Sequence, residues 1–181
     1  MHSRQKGKKF PGEKLEKQKN KLKFKKEVFF LIKFFMIFFA LQFLILALPL
    51  EPLKALIAGA AAGAAGLQSA GSTIAVGSEN FEITNSCTGL VSWAILIAVI
   101  FPLKKPEIRK KVAMALAGGL ALFLLNFPRI LLVLWAAQNY GSETAEILHE
   151  ATWITTAVLV LIIWFIGTKK IAKIKSFAEM I

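Results

Sequence analysis

The residues of this chain that are best suited to covalent chemistry are one cysteine, one arginine and one histidine. Cys87 is the only cysteine, and it lies in the stretch NSCTGLVSW, where a polar segment gives way to an apolar one. A lone cysteine forms no intramolecular disulfide and builds no cysteine-rich metal site by itself. Three interpretations remain: inert packing, a linkage to another chain, or a nucleophile. Arg129 and His149 suit a nucleophile, since a guanidinium stabilises negative charge and an imidazole transfers protons near neutral pH.

The composition indicates that these residues belong to a membrane protein. The chain has 181 residues, 56% of them hydrophobic, and its formal net charge of +12 is concentrated in a few segments. Residues 1–26 hold eleven Lys or Arg and two Glu. No aromatic or glycine-rich recognition pattern accompanies these charges, so we expect a cytoplasmic tail attracted to anionic lipid rather than a nucleic-acid site.

Apolar runs long enough to cross a bilayer predict four transmembrane helices, because about 20 apolar residues span the hydrocarbon core. The first run is followed by the proline-containing stretch PLEP, and the third is interrupted by NFPR at residues 126–129. The four predicted spans are Val28–Leu48, Thr88–Leu103, Val112–Ala136 and Glu150–Gly167. The predicted organisation is a basic tail at 1–26, a membrane-embedded domain at 27–168 and a second basic tail at 169–181.

Loop charges predict the orientation. The N-terminal tail, the 104–111 loop and the C-terminal tail are basic, whereas segments 49–86 and 137–150 together hold one Lys, no Arg and six Glu. By the positive-inside rule, both termini are expected in the cytoplasm of a multi-pass plasma-membrane protein. Segments 49–86 and 137–150 are then extracytoplasmic.

The outer segment 49–86 is expected to fold. Leu53–Leu67 has a helical composition but is too short to span, and its Gly59 and Gly63 have the spacing that permits close helix packing. The alternating stretches 72–76 and 80–84 flank Gly-Ser-Glu and predict a small β-hairpin. The predicted fold class is therefore an all-α integral membrane protein with about four transmembrane helices, a short outer helix and a small hairpin.

This topology places the three candidate residues at one depth. Cys87 opens the second span from the outer side, where Asn85 or Ser86 can cap the helix and the helix dipole favours a thiolate. Arg129 lies 18 residues beyond Lys111, which is about 27 Å along a helix, and so reaches the outer boundary. His149 begins the fourth span from the outside.

Each residue also has a structural interpretation. Cys87 can be a small packing residue, Arg129 can extend to the headgroups, and His149 can simply occupy a helix end. Three independent coincidences at one depth are then required, so we favour a shared site. No metal or cofactor is expected, because His2 belongs to the tail and only Cys87 and His149 remain as soft ligands.

The residue types predict roles in acyl transfer. Cys87 attacks a peptide carbonyl to form a thioester, and Arg129 stabilises the thiolate or the developing oxyanion. His149 protonates the leaving amine and then activates the acceptor. Asn126, one helical turn before Arg129, orients the guanidinium or donates to the oxyanion. Two further supporting residues flank the nucleophile as helix caps or partners of the sulfur, and these are Ser86 and Thr88.

These motifs resemble the exosortase/archaeosortase family over about residues 28–167. The resemblance rests on Cys-Thr-Gly at 87–89, Asn-x-x-Arg at Asn126 and Arg129, and His149 at the head of the last span. It implies that Cys87, Arg129 and His149 are the catalytic residues of a membrane-embedded cysteine transpeptidase. Such an enzyme processes C-terminal sorting signals of exported proteins, which carry one transmembrane helix and a basic end. Some archaeal members have Arg where this chain has His149. The acceptor can be water, an amine or a lipid headgroup, and the compact length, which resembles the archaeal branch, suggests lipid transfer.

Two non-enzymatic classes stay open. A small transport subunit would use Arg129 and His149 to bind an anion and would tolerate Cys87→Ser. An assembly factor would pack through Gly59 and Gly63 or through the pair at 118–119, and would survive loss of all three polar residues.

Overall fold

The computed structural model describes residues 11–171, with side chains from residue 24 onward. The ends of both predicted tails, 1–10 with His2 and 172–181, lie outside the described residues. The described chain forms five α-helices, a three-stranded sheet and one short 3-10 helix. The helices are α1 (Pro11–Ala47), α2 (Glu51–Ala65), α3 (Leu90–Ile100), α4 (Ile108–Tyr140) and α5 (Ser142–Lys170).

Three helices are long and apolar enough to cross a membrane, and they confirm three of the predicted spans. They are the Phe24–Ala47 part of α1, the whole of α4 and the whole of α5. α3 has only 11 residues, which is about 16 Å against a core of about 30 Å. The predicted helical span Thr88–Leu103 is therefore wrong as a continuous helix, and the predicted count of four spans is not confirmed.

The segment around α3 nevertheless runs the length of the bundle beside α4. At one end, the Asn126 side chain of α4 hydrogen-bonds the Cys87 carbonyl. At the other end, the Lys111 ammonium of α4 donates to the carbonyls of Phe101 and Leu103, which follow α3. The two α4 residues are 15 positions apart, or about 22 Å. The fourth membrane crossing by this segment and the cytoplasmic location of both termini stay predictions.

Two adjacent glycines let α3 approach its neighbours. A Cβ at Gly118 would collide with Leu96 of α3 and Ile163 of α5, and a Cβ at Gly119 would collide with the indole of Trp93. That indole donates to the Ala115 carbonyl at 2.7 Å. Close packing therefore occurs at this pair. It does not occur at Gly59, where an added Cβ would lie 3.9 Å from one serine oxygen, or at Gly63, where an added Cβ would have no neighbour within 4 Å.

α4 continues through the NFPR stretch that was expected to interrupt it. Pro128 lies inside this 33-residue helix, although proline removes one backbone hydrogen bond from the helical ladder. Transmembrane helices tolerate proline where neighbouring elements supply compensating contacts. The consequence for the site is that Asn126 and Arg129 lie on one uninterrupted helix, one turn apart.

A small cap covers the end of the bundle where α4 finishes and α5 begins. α2 confirms the short helix predicted in segment 49–86, and it packs with the sheet and α4 around buried Ile57, Ile74 and Leu134. The strands are β1 (Gln68–Ala70), β2 (Thr73–Val76) and β3 (Glu79–Glu82), in antiparallel order β1-β2-β3. The predicted hairpin is confirmed as β2–β3, and β1 is an additional strand that the sequence pattern did not predict.

Two side-chain hydrogen bonds attach the cap to the bundle. Ser142 at the start of α5 donates to the Glu79 carboxylate at 2.8 Å, and Gln138 near the end of α4 donates to the Ala65 carbonyl at 3.4 Å. The cap is therefore connected to both helices that carry candidate residues.

Candidate active site

Cys87 lies in a turn between the sheet and α3, which we call the Cys87 turn (Asn85–Thr88). Its backbone N–H donates to the Thr84 carbonyl at 2.9 Å, and its sulfur lies 3.6 Å from the Thr84 hydroxyl. The residue is buried, with 7% of its surface exposed. Because the turn precedes α3, the prediction that Cys87 sits in the first turn of that helix is wrong, and the helix dipole gives no argument for a thiolate.

Thr88 holds the shape of the turn. Its fully buried hydroxyl donates to the Asn85 carbonyl at 2.7 Å and accepts from the Leu90 N–H at 3.3 Å. Thr88 thus bonds the first N–H of α3, although the N-cap residue of that helix is Gly89, and neither Asn85 nor Ser86 caps it through a side chain. The half-buried Ser86 lies in the same turn and does not line the cavity that contains the sulfur.

Gly89 brings the turn against α4. Its φ of 79° is in the left-handed region, and an added Cβ would lie 3.5 Å from the Phe123 Cα and 3.7 Å from the Asn126 Cβ. A side chain here would be strained by the backbone conformation and confined by a neighbouring helix. This close approach is what brings the Cys87 carbonyl within reach of Asn126.

Asn126 joins the cysteine segment to the arginine. Its amide nitrogen donates to the Cys87 carbonyl, and its amide oxygen accepts from Arg129 Nη1 at 3.2 Å. Asn126 is 9% exposed, so its polar atoms depend on these partners. The prediction that Asn126 orients Arg129 agrees with this contact.

The Arg129 guanidinium is held on two of its three nitrogens. Besides the bond from Nη1 to Asn126, Nε donates to the Thr152 hydroxyl of α5 at 2.8 Å. The Trp153 ring lies beside it, with 5.6 Å between the guanidinium carbon and the ring centroid. Nη2 is buried and has no hydrogen-bond partner among the residues described. The arrangement leaves one oriented donor available.

His149 lies two turns into α5 and is half-buried. Its backbone carbonyl accepts from the Thr152 hydroxyl at 2.7 Å, and that hydroxyl also accepts from Arg129. Thr152 therefore links the arginine on α4 to the helical turn that carries His149.

The three candidate residues line one cavity of about 60 Å³, which we call the Cys87 cavity. Cys87 comes from the turn, Arg129 from α4 and His149 from α5. Phe81, Glu82 and Ile83 form the wall toward the sheet, and Ile130, Val133 and Leu134 form the wall on α4. The prediction that these residues approach one another at one end of the bundle agrees with this geometry, whereas their chemical roles stay predictions.

Two residues of this network were not singled out from the sequence. Thr84 contacts the sulfur, and Thr152 positions the guanidinium. Thr84 precedes Cys87 by three residues and Thr152 follows His149 by three, which in helical structure places each on the same face as its neighbour. This three-residue spacing is the feature of the sequence from which Thr84 and Thr152 could have been predicted.

A second cavity, of about 180 Å³, lies on the other side of Arg129 between α4 and α5. We call it the intramembrane cavity, because its lining residues lie within the two membrane-capable helices and the start of α3. Leucines make up much of its wall, and hydroxyls come from Ser92, Thr152, Thr155 and Thr156. Asn126 and Arg129 also line it, and Arg129 is shared with the Cys87 cavity.

Comparison with known proteins identifies the family. Residues 22–166 match the family model described as transmembrane exosortase. Neither the curated proteins nor the solved structures give a match. The matched range includes the Cys87 turn, the Arg129 helix and His149, together with the first two membrane-capable helices from residue 24 onward and the third as far as residue 166. The chain therefore belongs to the transmembrane exosortase family.

Proposed function

We propose that this protein is a membrane-embedded cysteine transpeptidase that cleaves C-terminal sorting signals of exported proteins. It then transfers the cleaved protein to an acceptor, which we take to be a lipid. The observation that carries the proposal is that Cys87, Arg129 and His149 come from three separate segments and line one cavity. Family membership supports the same reaction class.

The first half-reaction forms a thioester. The thiol proton of Cys87 passes to His149, and the sulfur attacks the scissile carbonyl carbon. The carbonyl electrons move onto oxygen, where the free Nη2 donor of Arg129 stabilises the negative charge. When the intermediate collapses, the C–N bond breaks and His149 returns its proton to the departing amine.

The second half-reaction releases the product. His149 removes a proton from the acceptor amine or hydroxyl, and the acceptor attacks the thioester carbonyl. The C–S bond then breaks and the sulfur leaves as a thiolate, which recovers a proton from His149. Because proton transfer is needed in both halves, His149 must remain mobile enough to face two partners. Its half-buried position is compatible with that requirement.

The intramembrane cavity can hold the residues of the substrate tail that follow the cleavage site. It adjoins the Cys87 cavity at Arg129 and extends along α4 and α5. A substrate whose transmembrane helix lies in the bilayer can thus present its recognition motif to Cys87 while the following residues lie in a partly polar pocket. We place the active site at the extracytoplasmic face of the plasma membrane, in agreement with the distribution of loop charges.

The proposal is tested by co-expressing the full chain with exported proteins of the same cell that end in one transmembrane helix and a basic tail. Intact mass spectrometry should show loss of the C-terminal helix with the wild-type chain and none with Cys87→Ala. Adding hydroxylamine should convert a Cys87-dependent thioester into a hydroxamate at the new C-terminus. Thr144→Ala, which alters an exposed hydroxyl on α5, is the matched control for expression and insertion. Tails that stay intact with every candidate, or cleavage that survives Cys87→Ala, would refute the proposal.

A further inference from the structure

The sheet of the cap has an edge strand beside the Cys87 cavity. In the order β1-β2-β3, the strand β3 has a partner on one side only. Phe81 and Glu82 of β3, and Ile83 immediately after it, line the Cys87 cavity, and four residues further on the chain reaches Cys87. The same short segment thus supplies both an open strand edge and the wall next to the sulfur.

The register shows which backbone groups of β3 point outward. Ile83 N–H donates to the Ser72 carbonyl at 2.8 Å, so Ser72 and Ile83 are a hydrogen-bonded pair of the antiparallel ladder. Hydrogen-bonded pairs alternate along such a ladder. In the observed register, Phe81 therefore bonds Ile74 on β2, and the N–H and C=O of Asn80 and Glu82 point away from β2. Both of these residues are exposed.

An extended polypeptide is the ligand that this edge fits. Outward N–H and C=O groups, repeating every second residue, pair with the main chain of an added strand and require no particular side chain. An extended segment leaves its carbonyls accessible to a nucleophile, and β3 lies against the cavity that contains Cys87. The inner face of the sheet is already occupied, because Ile74 and Val76 are buried. The edge is therefore the available surface.

We propose that the segment of the substrate tail around the cleavage site binds as a fourth strand along β3, with its main chain paired to Asn80 and Glu82. This inference rests on the proposed function and adds how the substrate is recognised. Main-chain pairing sets the register of the tail, so that one carbonyl is delivered to the Cys87 cavity.

The test uses a proline at an outward-facing position. Asn80→Pro removes one outward N–H without removing a β2–β3 ladder bond, since proline is tolerated on edges at positions whose N–H faces away. Ser69→Pro is the matched control, because Ser69 occupies the equivalent outward position on the opposite edge strand β1. With the full chain in micelles and a synthetic peptide of the tail that the wild-type protein cleaves, Asn80→Pro should raise KM about five- to tenfold with little change in kcat. Ser69→Pro should change neither constant.

A second measurement covers the case in which Asn80→Pro fails to fold. The same peptide is synthesised with a single N-methyl amide at each successive position and tested with the wild-type chain. Strand addition predicts that KM rises at every second position and stays unchanged between them. A uniform or absent effect overturns the strand proposal, as does an unchanged KM in a well-folded Asn80→Pro. In either case, loss of cleavage in Cys87→Ala would still support the proposed function. The experiments therefore distinguish failure of the strand proposal from failure of the transpeptidase proposal.

Discussion

Thr152→Val is the perturbation that best tests how the candidate site is positioned. The threonine hydroxyl accepts from Arg129 Nε at 2.8 Å and donates to the His149 carbonyl at 2.7 Å. Valine has nearly the same shape but cannot accept a hydrogen bond. The change therefore releases one of the two bonds that orient the guanidinium and leaves Cys87, Arg129 and His149 in place.

The size of the effect follows from the kind of hydrogen bond that is lost. Bonds from a charged donor contribute about 1.5–3 kcal/mol, which corresponds to roughly 10- to 150-fold in rate if the bond is needed in the transition state. Arg129 is only half-buried, so water can replace part of the interaction. We therefore expect kcat to fall by about tenfold in Thr152→Val, with a smaller change in KM.

The assay is steady-state cleavage of a tail peptide by the full chain in micelles at a series of peptide concentrations, with thermal unfolding measured in parallel. Thr152→Ser keeps the hydroxyl and should recover most of the wild-type rate. Thr144→Val is the matched control, because it removes an exposed hydroxyl of the same helix, one that donates to the Tyr140 carbonyl at the end of α4 and does not contact Arg129. Wild-type turnover in Thr152→Val, or equal slowing in Thr144→Val and Thr152→Val, would show that Thr152 does not position the guanidinium.

Three further outcomes are expected. Cys87→Ala should abolish cleavage and leave the protein in the membrane at wild-type levels, as measured by fractionation and intact mass; residual cleavage would exclude the thioester. Arg129→Lys should lower kcat by roughly 100-fold, because the three N–H donors of an ammonium radiate from one nitrogen and cannot reproduce the planar, spread donors of a guanidinium; wild-type activity in this variant would mean that charge alone matters. Gly118→Ala should destabilise the protein by about 1–3 kcal/mol through overpacking, whereas Gly63→Ala, with nothing near its Cβ, should be neutral or stabilising in unfolding assays.

The sequence predicted those parts of the fold that depend on the length and position of apolar runs. Three runs correspond to membrane-capable helices, because a chain in lipid must satisfy its backbone groups within each segment. The hairpin was predictable for a similarly local reason, since strand alternation and the Gly-Ser turn are adjacent in the chain. The placement of Cys87, Arg129 and His149 at the same end of the bundle was predicted by counting residues along the helices.

The parts that were not predicted depend on contacts between distant segments. The short length of α3 is an exception, since it follows from two local signals: Gly89 turns the chain before the helix, and Pro102 lacks the N–H that would continue it. The second partner of Asn126 is a backbone carbonyl 39 residues away, which no local pattern encodes. The role of Thr152 likewise requires α4 and α5 to be side by side.

The surroundings of Arg129 connect the stability of the bundle with the proposed reaction. A guanidinium packed between two membrane-capable helices is costly unless its donors are satisfied, and here Asn126, Thr152 and the Trp153 ring provide much of that compensation. The buried Nη2 donor has no hydrogen-bond partner among the described residues. A substrate carbonyl bound next to Cys87 would supply the missing acceptor, and its oxygen becomes a stronger acceptor as negative charge develops on it. Because that acceptor arrives only with the substrate, the Nη2 donor would stabilise the transition state more than the free protein. This is the condition under which binding energy accelerates a reaction.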